Sequence, residues 1–263
     1  MNEQVHKKIL SFARIYIKCN QPKDSLKHIQ DIAKLKKEDL TIEEINILFG
    51  SLNALINRSK KQWEIICAIE SNELKKKSKF KNVARDAKEA VYKEIQDYTI
   101  LGQGIIDHYL IKGAKSPELE ALYYMNKGDL QRVVISLTPV DYDREIVDLK
   151  DKAEKFYRRA YEICIRIDDL SEIKAGIVLH YSIYIFEENK DTKNAYKMAN
   201  KFYERAMKLL KNIKNSNETY LELNNILIIM KQNIDNWEYI IANTPEENEE
   251  DNVNMQSKNL KND

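Results

Sequence analysis

At residues 40–48 the chain reads Leu40-Thr41-Ile42-Glu43-Glu44-Ile45-Asn46-Ile47-Leu48. Thr41 is a favoured N-cap residue, and Glu44 follows it by three positions, so each side chain can satisfy a free backbone amide of the other. This capping box predicts the start of a helix, which apolar residues at helical spacing continue to about Lys77. Helices of this length favour an elongated stack over a compact globin-like packing.

Apolar residues recur at helical spacing on both sides of this segment. Pro22 ends the first of these helices because proline cannot continue a helix, and proline, glycine and polar pairs separate the others. Short connections make neighbouring helices antiparallel. The sequence therefore predicts, in residues 1–242, an all-α domain of about nine stacked helices, near 3–19, 24–36, 41–77, 80–112, 117–137, 148–168, 171–188, 191–213 and 216–242.

The end of the chain has a different composition. After Trp237 the helical pattern fades, and residues 244–263 have few large apolar side chains and an acidic run from Glu246 to Asp251. Such a segment cannot bury enough apolar surface to offset the entropy lost on ordering. The sequence predicts a disordered acidic C-terminal tail at residues 243–263.

A short repeat supports a second architecture. The hexapeptide Lys155-Phe156-Tyr157-Arg158-Arg159-Ala160 recurs at residues 201–206 with one change. The separation exceeds the roughly 34 residues of a tetratricopeptide unit, so a regular array is not supported, although stacked helical hairpins are. A tetratricopeptide-like scaffold is the structural alternative.

Charge and cysteine content limit the partners and the compartment. Lys plus Arg (43) nearly cancels Asp plus Glu (42), so no net field attracts the chain to nucleic acid or to an anionic membrane. Cys19, Cys67 and Cys164 are odd in number and widely spaced, which suits a reducing compartment. There is no apolar leader and no run of roughly 20 apolar residues. A cytoplasmic protein is expected.

Catalytic motifs are missing from the sequence. His6, His28, His108 and His180 lack the spacing of metal ligands, and no zinc-protease, P-loop or nucleophile-elbow motif occurs. The prediction is a protein that is not an enzyme and has no metal or other cofactor.

Four segments, taken in order, resemble the 14-3-3 proteins. Residues 40–48, followed by Trp63-Glu64-Ile65-Ile66-Cys67-Ala68-Ile69-Glu70, resemble the family's third helix, which reads LSxEERNLL and then WRxISSIEQ. Residues 125–132 look like the family's KMKGDYxRY run, and 176–187 like GLALNFSVFYYE. Residues 220–237 are similar to YKDSTLIMQLLRDNLTLW. Their joint order and spacing identify the chain as a divergent member of the 14-3-3 family.

The resemblance implies an adaptor with a concave groove that binds phosphoserine or phosphothreonine peptides. A basic face holds the phosphate, since guanidinium groups match a phosphate dianion. Carried over by position, Lys60 and Arg132 fall on phosphate-binding arginines. Without the resemblance, each would be read as an ordinary surface residue.

The phosphate site departs from the family pattern at three positions. Asn53 replaces a lysine, Glu64 a supporting arginine, and Val133 the phosphate-binding tyrosine. We therefore expect phosphate recognition to be weakened or altered. A helical scaffold that binds partners without phosphate is the alternative function.

The resemblance also assigns the peptide side of the groove. His180 replaces an asparagine that bonds the peptide main chain, while Asn225 and Asn236 make the apolar wall more polar. His180 is alternatively a hydrogen-bonded structural histidine, and Trp237 is alternatively a core residue. The positions carried over are Asn53, Val133, His180, Ile183, Glu187, Ile226, Ile229, Asn233 and Trp237.

Two further expectations concern self-association. The family dimerises through its N-terminal helices, and the first helix here has more apolar surface than one face requires, so a homodimer is expected. Pro22 falls where the family has an intersubunit arginine, which predicts an atypical dimer. The tail could also occupy its own groove, with Ser257 or Thr244 as phosphorylation sites.

Overall fold

The computed structural model describes residues 2–36, 40–75, 80–138, 143–213 and 220–244. These ranges contain nine α-helices and no strand, which confirms the predicted fold class. The helices are α1 Glu3–Lys18, α2 Pro22–Leu35, α3 Ile42–Lys75, α4 Lys81–Ile105, α5 Pro117–Leu137, α6 Asp143–Cys164, α7 Glu172–Glu187, α8 Thr192–Leu210 and α9 Leu221–Asn243. The tail was predicted at residues 243–263, but Asn243 is the last residue of α9 and Thr244 is its C-cap. Residues 245–263, including Ser257, lie outside the described residues.

Three helix starts differ from the sequence prediction by two residues or more; α9 begins at Leu221, five residues after the predicted position 216. α2 begins at Pro22 rather than near Asp24, because proline at the first helical position gives up an amide that would be unpaired there anyway. The chain reverses just before it at Asn20, whose φ of 57° is left-handed. α6 begins at Asp143, five residues before the apolar pattern that predicted it.

The predicted capping box is present and joins three helices. The Glu44 amide donates to Thr41 Oγ1 at 3.3 Å, and the Thr41 amide donates to Glu44 Oε2 at 2.7 Å. The fully buried Glu44 carboxylate also accepts from Lys36 Nζ at 2.7 Å and from the His6 ring. One residue of α3 thus ties α1 and the end of α2 to α3.

The helices enclose two hydrophobic cores that share α5. The N-terminal core joins α1 to α5 and includes Leu52 and Ile56 of α3, while the C-terminal core joins α5 to α9. Leu52 and Leu130 meet over Gly102 of α4, so α3 and α5 approach the same point of that helix. No helix in the described ranges is both long and apolar enough to cross a membrane.

Candidate ligand groove

Two acid–base pairs connect α5 to α7. Asp129 contacts His180, and Arg132, one turn further along α5, lies near Glu187 at the end of α7. Residue numbers rise in both helices from the first pair to the second, so α5 and α7 run in the same direction. The structure therefore brings together three of the predicted site residues, Arg132, His180 and Glu187.

Asp129 is the centre of a partly buried polar network. Its Oδ1 accepts from the Tyr157 hydroxyl at 2.6 Å and lies 2.8 Å from His180 Nδ1. Burial, the largest cause, and the adjacent carboxylate hold the pKa of Tyr157 well above its usual value. The phenol therefore stays protonated and donates to Asp129, which fixes the carboxylate beside α7.

Arg132 has hydrogen-bonding capacity that the protein does not use. Its Nη1 lies 3.6 Å from Glu187 Oε2, which is an ion-pair distance but too long for a hydrogen bond. That nitrogen is buried and has no hydrogen-bond partner among the described residues. A buried donor without an acceptor is costly, and the Arg132 side chain as a whole is 25% exposed, so an anion from outside the chain that reached this guanidinium would relieve that cost.

The other predicted phosphate-side residues lie on α3 and at the next position of α5. Asn53 and Glu64 are exposed, and Lys60 is half-buried. Within the described ranges, Lys60 has no hydrogen bond or ion pair with the protein. Val133 packs against the N-terminal core, which also contains Leu52, the neighbour of Asn53. Asn53 and Val133 thus border one core and place no cation beside Arg132.

The residues predicted for the peptide wall lie on α7 and α9. Ile183 and Ile226 are half-buried against the C-terminal core, and Ile229 is 49% exposed. Asn233 is half-buried, whereas Asn225 and Asn236 are exposed.

Trp237 is a core residue, which was the second of the two predictions for it. It is only 2% exposed, and its ring centroid lies 5.5 Å from that of Phe186. The indole therefore packs against α7 from the side of the C-terminal core.

Sequence reasoning did not assign Asp129 and Tyr157 to the site. Asp129 was recognised only as part of a motif, and Tyr157 only as part of a repeat. The sequence feature that could have indicated this contact is Gly128, which allows the Tyr157 ring to lie against α5. Within the described ranges, no group of three or more His, Cys, Asp or Glu side chains could hold a metal ion.

Comparison with known proteins gives one consistent result. The family model described as "14-3-3 protein" matches residues 12–238. The chain is 26% identical over 200 residues to "14-3-3 protein beta/alpha" of Xenopus tropicalis, covering 76% of this chain and 80% of that protein. It is 23% identical over 242 residues to the "14-3-3 protein homolog" of Trichoderma harzianum, covering 91% and 90%. It is 24% identical over 203 residues to "14-3-3 protein I" of Plasmodium falciparum, covering 76% of each.

Proposed function

This chain belongs to the 14-3-3 family, and on that premise we propose that it binds phosphoserine or phosphothreonine peptides with an altered phosphate site. Members of the family are adaptors rather than enzymes. The observation that supports the proposal is the buried Nη1 of Arg132, which has no acceptor within the described protein.

Arg132 is the centre of the proposed phosphate site. A guanidinium offers paired donors that match phosphate oxygens, and Glu187 at 3.6 Å holds it without using those donors. Lys60 is the second proposed cation, since its ammonium has no acid to neutralise it among the described residues.

The proposed site has fewer donors than the family pattern implies. Asn53 and Val133 supply no charge. The exposed Glu64 is negative, like the phosphate, and would repel it. Hydrogen bonds to charged groups contribute about 1.5 to 3 kcal/mol each, so loss of one or two lowers affinity by about one to four decades. We therefore propose weak phosphate recognition, with the flanking peptide making a larger share of the contact.

The peptide side of the proposed groove is α7 and α9. The exposed Ile229 and the half-buried Ile183 and Ile226 offer an apolar wall, while His180 and Asn233 offer polar contacts to the ligand backbone. Trp237 supports this wall from the core.

We also propose a homodimer formed through the N-terminal helices. α1 leaves Phe12 and Ile15 exposed, and the hairpin of α3 and α4 leaves Ile65, Ile69 and Val83 exposed. In a two-fold pair, α1 of each copy could cover the hairpin of the other. Pro22 is buried and uncharged at the start of α2, so the contact would rely on apolar surface more than on charge pairs.

A cytoplasmic location is proposed on chemical grounds. Cys19, Cys67 and Cys164 are all free thiols in the structure, which suits a reducing compartment.

Matched peptides test the proposed function. A degenerate pool of fluorescent phosphoserine peptides and its unphosphorylated twin are titrated with the full chain at moderate salt. The phosphorylated pool should bind more tightly, and Arg132→Ala should remove that difference. Arg158→Ala is the control, because Arg158 is exposed on α6 and, within the described part of the chain, pairs only with Glu154 and Tyr181. Equal affinity for both pools would instead establish the phosphate-independent scaffold.

A further inference from the structure

The outer side of α8 presents three cations that the described protein does not neutralise. Lys193, Lys197 and Lys201 follow one another at intervals of four residues, so they lie along one side of the helix. All three are exposed, and none makes a hydrogen bond or ion pair with another described residue. No acid occurs in α8 before Lys201. These lysines, here called the basic face, form a local positive surface on a chain whose total charge nearly cancels.

An apolar cleft lies beside the second half of α8. It has a volume of about 540 Å³, and its lining includes Tyr203 and Met207 of α8 and Leu221 and Ile228 of α9. Leu221 and Ile228 are 59% and 58% exposed. Ile228 follows the groove residue Ile226 by two positions, which is about 200° around the helix, so the cleft and the ligand groove lie on opposite flanks of α9.

The direction of α9 brings its end to the beginning of α8. A short connection joins the two helices, which makes them antiparallel, and Lys231 of α9 lies over the Tyr203 ring of α8, with Nζ 6.0 Å from the ring centroid. Ten residues before Tyr203 is Lys193, and ten residues after Lys231 is Ile241, near the end of α9. The chain therefore leaves α9 close to the basic face.

The segment that follows α9 has the same order of charge and apolarity as this side of α8. Five acids come first, in residues 246–251, and Val253 and Met255 come next. Along α8 the lysines come first and the cleft second. Lys193 and Met207 are about 21 Å apart along the helix, and the chain from the first acid to Met255 can extend to about 30 Å. One segment is therefore long enough to reach both surfaces.

The end of α9 itself favours this direction. The free carbonyl groups at a helix C-terminus carry a partial negative charge, and Glu238 is exposed in this part of α9, so both repel an acidic segment. Asp191 already caps the first turn of α8. The attraction to α8 therefore comes from the three lysines rather than from the helix N-terminus.

We propose that residues 246–255 dock on the outer side of α8, with the acidic run on the basic face and with Val253 and Met255 in the apolar cleft. Tethering gives the segment a millimolar effective concentration, so weak exposed ion pairs are sufficient to hold it. The site goes beyond the proposed function, because it does not require phosphate binding at Arg132. Docking on α8 and competition in the ligand groove exclude each other for one tail.

Proteolysis of the full chain tests this docking. A glutamate-specific protease cuts within the acidic run, and mass spectrometry measures the rate, which is divided by the rate for a free synthetic peptide of residues 245–263. Wild type is compared with a triple variant in which the three lysines of the basic face become glutamine. The control is the same change at Lys23, Lys27 and Lys34 of α2, which are also exposed and make no ion pair in the described ranges.

Wild type should be cut more slowly than the free peptide. The basic-face variant should be cut about three- to tenfold faster than wild type, which is the combined effect of several exposed ion pairs, and the α2 variant should match wild type. Salt of about 0.5 M should remove the wild-type protection, because it screens exposed charges. Equal cutting of wild type and the basic-face variant, both with wild-type circular dichroism, would overturn the proposal.

Two other occupied sites would also overturn it. Protection that is lost in Arg132→Ala but kept in the basic-face variant would place the tail in the ligand groove. Protection that increases with protein concentration would place the tail on a second copy of the chain.

The apolar half of the docking has its own test. Val253→Ser combined with Met255→Ser should speed cutting of the acidic run, because the cleft then gains no apolar side chains. Asn252→Ser combined with Asn254→Ser is the matched control and should behave as wild type. Equal rates for the two variants would overturn the assignment of Val253 and Met255 to the cleft.

Lysine acetylation gives a measurement that leaves α8 unchanged. A water-soluble acetylating ester reacts with neutral amines, and a nearby carboxylate keeps a lysine protonated. Changing the five acids to glutamine or asparagine should therefore raise the acetylation rate of the basic face about twofold or more. Lys23, Lys27 and Lys34 in the same molecules are the internal reference and should not change. An unchanged rate at the basic face would overturn the proposal.

Discussion

The ring of Tyr157 lies against the α-carbon of Gly128, so that a methyl group on Gly128 would come within 2.8 Å of the ring. The ring is fully buried and its neighbours on α7 are also tyrosines, which leaves it no room to retreat. Gly128→Ala should therefore destabilise the fold by about 1 to 3 kcal/mol, the usual cost of overpacking. It should also weaken the Tyr157–Asp129 bond.

A matched glycine provides the control for this prediction. Gly176 lies inside α7 with nothing within 4 Å of an added Cβ. Gly176→Ala should stabilise the protein by roughly 0.5 to 1 kcal/mol, because glycine loses more backbone entropy in a helix. Urea unfolding of both variants measures the contrast, and equal effects would show that the close contact at Gly128 is not a constraint.

The buried Glu44 predicts an acid-sensitive attachment of α1 and α2. Burial acts to raise the pKa of Glu44, but hydrogen bonds from Lys36, the Thr41 amide and His6 outweigh it, so the net pKa is lowered. A lowered carboxyl pKa gives stability that is present above the unfolded value of 4.5 and is lost as pH falls through the folded value. Glu44→Gln should cost about 3 kcal/mol near neutral pH, and its difference from wild type should shrink in acid.

Glu43→Gln is the control for that measurement. Glu43 makes an exposed pair with Arg14, whose hydrogen bond is the main cause of its lowered pKa. Such a pair is screened by solvent, so this variant should unfold in urea almost as wild type does. A pH-independent gap between wild type and Glu44→Gln would contradict the assignment.

Restoring the family pattern should strengthen phosphate binding. The triple variant Asn53→Lys, Glu64→Arg and Val133→Tyr adds two cations and a hydroxyl and removes one acid. Affinity for the phosphoserine pool should rise by about one to four decades, while affinity for the unphosphorylated pool stays nearly constant. No gain in the phosphorylated pool would show that the pocket lies elsewhere.

Self-association should depend on the two exposed apolar surfaces of the N-terminal helices. Phe12→Glu on α1 or Ile69→Glu on α3 should convert a dimer into monomers, since each buries a charge in the contact. Ile100→Glu is the control, because Ile100 is at 66% even more exposed than Phe12 and Ile69 but lies far along α4. Sedimentation velocity at micromolar concentration measures the change, and a wild-type monomer would refute the dimer.

Truncation after Ala242 should raise affinity for external phosphopeptides if the tail competes for the groove. A flexible segment of about twenty residues spans about 25 Å, and tethering gives a millimolar effective concentration. Phosphorylation of Ser257 should lower external affinity in the full chain. Thr244 is the poorer site, because its hydroxyl donates to the Ile240 carbonyl at 2.7 Å at the end of α9, where the helix dipole disfavours an anion. Unchanged affinity after truncation would exclude the competition.

Local sequence determined most of the secondary structure. The Thr41–Glu44 capping box and the break at Pro22 each involve a few consecutive residues, so neither requires a tertiary contact. The same is true of the amphipathic spacing that marks the helices. The start of α2 moved because Pro22, which the sequence analysis takes only as the end of the first helix, is the first residue of the second.

Tertiary structure decided the chemistry of the groove. Asp129 contacts Tyr157, 28 residues away in sequence, and His180, 51 residues away. Neither contact can be predicted from the spacing of residues along the chain. The same holds for the unpartnered nitrogen of Arg132 and for the burial of Trp237. Which side chains of two helices touch depends on how each helix is rotated and how closely it packs, and glycine at position 128 sets that approach here.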